Sequence, residues 1–208
     1  AIDKLLKSNP IQVGLVEVED SDGERFHVYS PATQLGKMVQ SVNRAVQRWA
    51  DDSAPQGFGW TTMEVSWNLG TEWHPFKDGI GPAALLVLGS HLGGELECWG
   101  CRPLHLSDEL ALLDSAIWYR NHGPWEGTRL CFLVYTHWAF RGCGPEGLTS
   151  LEKLGFRLPS MRFLDWWQKE VTVRPKVDCT SEKAAHGFPA SNSLPASSGG
   201  HGFPACDL

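Results

Sequence analysis

The run "TRLCFLVYTHWAF", residues 128–140, sets aromatic, aliphatic and β-branched residues side by side. Such a segment packs well on a pleated surface and reads as a buried strand. It follows directly on the turn "NHGPWEG" at 121–127, so His122 and Arg129 stand where the chain enters that strand. Other segments carry the same signal. Residues 11–18, "IQVGLVEV", alternate apolar and polar. In "FGWTTMEVSWNLG" Trp60, Thr62, Glu64 and Ser66 alternate with Thr61, Met63, Val65 and Trp67, the pattern of a half-buried strand. "PAALLVLGSHLGGELECWG" gives a short apolar strand at 83–88, a loop through Gly93 and Gly94, and a further strand at 95–99, while "SAIWYR" adds another.

Helical spacing is confined to the margins. Leu35, Met38, Val39, Val42, Val46 and Trp49 fall on one stripe of a helix over 35–49, which "DDSAPQG" ends. "SLEKLGF" and "SMRFLDWWQKEV" read as helices near the other end. Short strands joined by turn residues, with helices only at the edges, predict a mainly β fold, a jelly-roll barrel or sandwich with flanking α-helices. The expected domain spans residues 1–172. From 173 to 208 the chain is rich in Ser, Pro, Ala and Gly, and "HGFPAS" at 186–191 recurs as "HGFPAC" at 201–206. That low-complexity tail is expected to be disordered, because it cannot bury enough apolar area to offset its ordering entropy.

Charge and apolar patterning narrow the function. The net charge of −6 argues against non-specific binding to a polyanion, so nucleic acid is a partner that the charge does not support. No apolar run reaches the length of a bilayer-spanning helix, and the first residues lack the layout of a secretory signal. An intracellular location is expected. The chain begins with Ala1 and reads as a piece of something longer. Its six cysteines read as reduced thiols. Cys98 and Cys101 form a CxxC that, with His137 and Cys143, is the one combination suggesting zinc, and semi-buried thiols at a strand end are the plainer reading. Most tryptophans read as core aromatics, with Trp73 and Trp125 placed to line a pocket.

Four features converge on one chemistry. "TEWHPFKDG" places His74 and Asp78 in the loop after the 58–68 strand, and "GSHLGGELECW" lets backbone approach closely before a strand re-enters the core. His122 and Arg129 follow at the turn. Two histidines distant in sequence plus a carboxylate suit a non-haem Fe(II) site, and an arginine at the start of an inward strand suits two-pronged binding of a carboxylate.

The run from "WTTMEVSWNLGTEWHPFKDGIG" through "GSHLGGELECWG", "NHGPWEGTRLCFLVYTH" and "LEKLGFRLP", roughly residues 58–160, resembles the 2-oxoglutarate/Fe(II)-dependent dioxygenase superfamily. The resemblance implies a double-stranded β-helix, with His74 and His122 as iron ligands and Arg129 as anchor of the far carboxylate of 2-oxoglutarate. It implies hydroxylation-type oxidation of an unknown substrate coupled to decarboxylation of 2-oxoglutarate. Two positions depart from the pattern. Phe76 stands where the superfamily places its carboxylate, leaving Asp78 as the substitute third ligand, and Arg129 follows His122 by seven residues, a couple fewer than is usual. The alternative expectation is a catalytically inactive jelly-roll binding or scaffolding module that has lost the iron site.

Overall fold

A computed structural model describes residues 10–20, 23–28, 34–74, 78–99, 103–106, 110–115, 117–121 and 124–170. Eleven strands occur among them: β1 (Ile11–Asp20), β2 (Gly23–Val28), β3 (Thr62–Trp67), β4 (Thr71–His74), β5 (Gly79–Leu88), β6 (His91–Gly93), β7 (Leu96–Cys98), β8 (Leu110–Asp114), β9 (Tyr119–Asn121), β10 (Trp125–Gly127) and β11 (Leu130–His137). Three α-helices accompany them: α1 (Gln34–Ser53), α2 (Pro145–Lys153) and α3 (Met161–Glu170). The strands form a six-stranded sheet in the order β2-β1-β3-β11-β5-β8, a three-stranded sheet β4-β9-β7 and a ribbon β10-β6. Every pairing is antiparallel.

The strongest strand signal in the sequence becomes the centre of the large sheet. β11 pairs with β3, Phe132 opposite Val65, and with β5, Phe132 opposite Leu86. Side chains alternate across a strand, so β11 feeds two cores. Phe132 and Val134 join Val13, Met63, Val65 and Ala84 beneath the helices, where Val39, Val42 and Val46 of α1, Leu151 of α2 and Phe163 and Leu164 of α3 pack. Cys131, Leu133 and Tyr135 face the other way, into a second core with Leu85, Val87, Leu113 and, from the small sheet, Leu96 and Cys98. Each fully buried aliphatic side chain contributes about 1.5–3 kcal/mol. The small sheet and the helices therefore cover opposite faces of the large one.

Polar groups fix how the helical layer sits. Asn43, fully buried on α1, accepts the Trp60 indole N–H at 2.7 Å and donates to the Leu154 carbonyl at 3.0 Å. Gly14 has φ +101°, and a Cβ there would run into the Thr61 carbonyl and the Phe156 ring, so only glycine permits β1 to lie so close.

The mainly β expectation holds, and the three sheets do not close into a continuous hydrogen-bonded barrel. Several boundaries differ from those expected. Strand β8, "LALLD", has no alternation to betray it and pairs with β5 along its whole length. Residues 71–74 form a strand and not a loop, because Thr71 and His74 pair with Asn121 and Tyr119 of β9. "SAIWYR" contributes a strand only from Tyr119 onward. The run at 128–140 stops being a strand after His137, whose Nδ1 accepts the Ala139 N–H and starts a short 3-10 helix at Trp138–Gly142. Helix α2 starts earlier than expected, with Pro145 in its first turn, and Gly155 at φ +78° follows its end. The tail at 173–208, with both "HGFPA" copies, lies outside the described residues. No described helix is long and apolar enough to cross a membrane.

Candidate functional site

Arg129 immediately precedes β11 and shares the inward parity of Cys131, Leu133 and Tyr135. Its backbone is clamped by Asn68. The Arg129 N–H donates to Asn68 Oδ1 at 2.7 Å, and the Asn68 N–H donates to the Arg129 carbonyl at 2.8 Å. Asn68 holds φ 46°, a left-handed conformation that asparagine tolerates well. The arginine side chain is 1% exposed, and its Nε and Nη1 have no hydrogen-bond acceptor among the described residues. Burial pulls its pKa below the ordinary arginine value. Buried donors left unpaired cost about 1–3 kcal/mol each, more when charged.

His74 ends β4. Its Nδ1 donates to the Glu72 carbonyl at 2.6 Å, since a carbonyl can only accept, which leaves Nε2 as the lone-pair nitrogen. Its ring lies 4.4 Å from the ring of Tyr119, centroid to centroid. A second-sphere bond of this kind is what orients a metal-binding imidazole. Asp78 directly precedes β5, and its carbonyl accepts the Trp138 N–H at 2.9 Å. Its carboxylate acts electrostatically on Glu64, Tyr135 and His137. His74 and Asp78 are thus brought to the same neighbourhood, around Glu64 of β3.

That neighbourhood contains residues the sequence reading missed. Glu64 lies opposite Leu133 on the inward face, and burial pushes its carboxyl above the ordinary value. The Gln12 amide reaches both Glu64 Oε2 at 3.3 Å and the Tyr135 hydroxyl at 3.4 Å. Burial, followed by the Glu64 charge, holds the Tyr119 and Tyr135 hydroxyls protonated far into alkaline pH. Burial depresses the pKa of His137. The signal was present, since Glu64 sits in the alternation of β3 on the polar register, but the partner strands could not be read from it.

The second expected histidine, His122, lies outside the described residues, as does Phe76 at the position where a carboxylate is missing. Among the described residues no three of His, Cys, Asp and Glu converge as a metal would require. Strand β9 instead delivers Asn121 inward: it is 8% exposed, and its Oδ1 has no hydrogen-bond donor among the described residues. Trp73 does not line this region. It faces the opposite side of β4, with Arg120 4.8 Å above its ring and Trp99 5.5 Å away. Trp125 packs over Gly94 and Gly70. The zinc combination is also dispersed, because Cys98 belongs to the core under the small sheet whereas Cys143 packs beneath the helices. Cys131 and Cys143 are free thiols.

Compared with known protein families and curated proteins, the chain matches no family model and no curated sequence.

Proposed function

We propose that this chain is a 2-oxoglutarate/Fe(II)-dependent oxygenase-like protein, its large and small sheets being the two halves of an open jelly roll of the double-stranded β-helix type. One observation carries the reading: a guanidinium, buried and without an acceptor at Nε and Nη1 among the described residues, at the inward start of the central strand. A dicarboxylate satisfies it with charged hydrogen bonds that no described residue provides.

The reading joins Arg129 to His74 and Asp78, of which Asp78 adjoins the Gly79–His137 pair at one end of β5 and β11 and Arg129 adjoins the Leu88–Leu130 pair at the other. Arg129 holds the far carboxylate of 2-oxoglutarate, with its backbone fixed by Asn68 so that the side chain needs little reorganisation. His74, whose Nδ1 is bonded to the Glu72 carbonyl, and Asp78 would supply two of the ligands for Fe(II), and His122 the third. When bound, Fe(II) with 2-oxoglutarate supplies oxidation of an unreactive C–H bond coupled to decarboxylation of the keto acid. The inward apolar residues of the second core, Leu85, Leu96 and Leu133 among them, exclude water from that face and would strengthen charged contacts there.

The test is anaerobic titration of the whole chain with Fe(II) and 2-oxoglutarate, followed by visible absorption. A charge-transfer band requiring both components, lost in Arg129→Met and in His74→Ala, supports the oxygenase. Arg129 by itself needs no metal to bind a carboxylate, and that favours the second reading, a non-catalytic binding module. Arg129-dependent carboxylate binding that is indifferent to iron would select it.

A further inference from the structure

We propose that the substrate bound on this inward face is an amine, recognised by two acceptors, the Glu64 carboxylate and Asn121 Oδ1, apart from the Arg129 seat. The proposal rests on the oxygenase reading above.

Three observations lead there. First, Glu64 is a half-buried carboxylate whose side-chain hydrogen bond comes from the neutral Gln12 amide, and none of the ion pairs among the described residues includes it. Second, Asn121 places an acceptor without a donor on the same side of the small sheet as Tyr119. Its neighbour across β7 is Leu96, which packs in the core containing Cys131 and Leu133. Asn121 is therefore turned toward the layer that holds Glu64 and Arg129. Third, the Gln12 amide that reaches Glu64 Oε2 at 3.3 Å also reaches the Tyr135 hydroxyl at 3.4 Å, so Tyr135 lies beside Glu64.

The chemistry of the two ends differs. Arg129 presents only donors and calls for a carboxylate. Glu64 and Asn121 present acceptors and call for N–H or O–H donors. In antiparallel register Glu64 lies opposite Leu133, four residues along the strand from Arg129, or about 13 Å at the usual strand rise. One small dicarboxylate at Arg129 therefore leaves the acceptors for a second molecule. An ammonium meets both requirements at the acceptor end: it supplies several N–H groups and neutralises Glu64, whereas an alcohol offers one donor and no charge. Tyrosine rings nearby suit a cation further.

The experiment uses butylamine and 1-butanol, matched in length, with ligand-observed NMR on the whole chain. The wild type is expected to bind the amine about 10-fold more tightly than the alcohol, as a charge-assisted hydrogen bond would give. Glu64→Gln keeps the shape and the Gln12 contact and is expected to abolish that preference. Asn121→Asp is expected to increase it. Equal binding of the two probes, or a preference unchanged in both variants, overturns the proposal. 2-Oxoglutarate is titrated on the wild type in parallel: failure there removes the co-substrate assignment, while the amine preference is decided by its own arms.

Discussion

His74 and Tyr119 lie on neighbouring strands with ring centroids 4.4 Å apart and planes inclined at 56°. The phenol ring is thus part of what holds the imidazole, alongside the 2.6 Å bond from Nδ1 to the Glu72 carbonyl. Tyr119→Ala is expected to lose about 3 kcal/mol of stability and to weaken Fe(II) binding, while Tyr119→Phe keeps the ring and loses under about 1.5 kcal/mol. Urea unfolding of both variants measures this. Equal losses would show that the ring contributes nothing.

Arg129 should trade stability for binding. Arg129→Met removes a buried cation whose Nε and Nη1 are unpaired and keeps an apolar stem in its place. The variant is expected to be more stable than the wild type by about 1–3 kcal/mol in urea and to lose 2-oxoglutarate binding. A destabilised variant would mean that the guanidinium already has an anion in the folded chain.

Glu64 gives a pH dependence of definite sign. Its folded pKa is raised from the ordinary 4.5, mainly by burial, so the folded chain holds that proton more tightly than the unfolded chain. The resulting penalty is absent below the unfolded pKa, grows as pH rises toward the folded pKa and is complete above it. Glu64→Gln should accordingly raise Tm at pH 8 and leave it unchanged near pH 4. Thermal melts at the two values decide it, and an equal shift at both would contradict the burial origin.

Asn43 tests the helical layer independently of the site. Asn43→Leu strands the Trp60 indole N–H and the Leu154 carbonyl in the core, where each loses a bond of 2.7 and 3.0 Å respectively. A loss of about 2–4 kcal/mol in urea unfolding is expected, with the Fe(II) titration unaffected. A loss below about 0.5 kcal/mol would mean that both groups find other partners.

Much of the architecture was written in local patterns. The apolar runs at 83–88 and 130–137 and the alternation in β3 named the strands of the large sheet, and the stripe Val39, Val42, Val46 named the helix beneath it, because side-chain periodicity reports which face is buried. Arg129 was also legible, as a charge placed where a buried strand begins. Pairing was not. Strands β4 and β9 are three or four residues long, and their existence depends on one another and on β7, so sequence could not distinguish β4 from a loop.

The sequence by itself determined that this chain is mainly β, that its helices lie at the margins, and that a cation stands at the mouth of its central strand. Only the tertiary structure decided that this cation has Nε and Nη1 unpaired among the described residues, that Tyr119 lies against His74 while Gln12 joins Glu64 to Tyr135, and that Asn121 turns inward while Trp73 turns away. The reason is physical. Alternation assigns a residue to one face of its own strand, but burial and the want of a partner depend on what the neighbouring strands bring to that face.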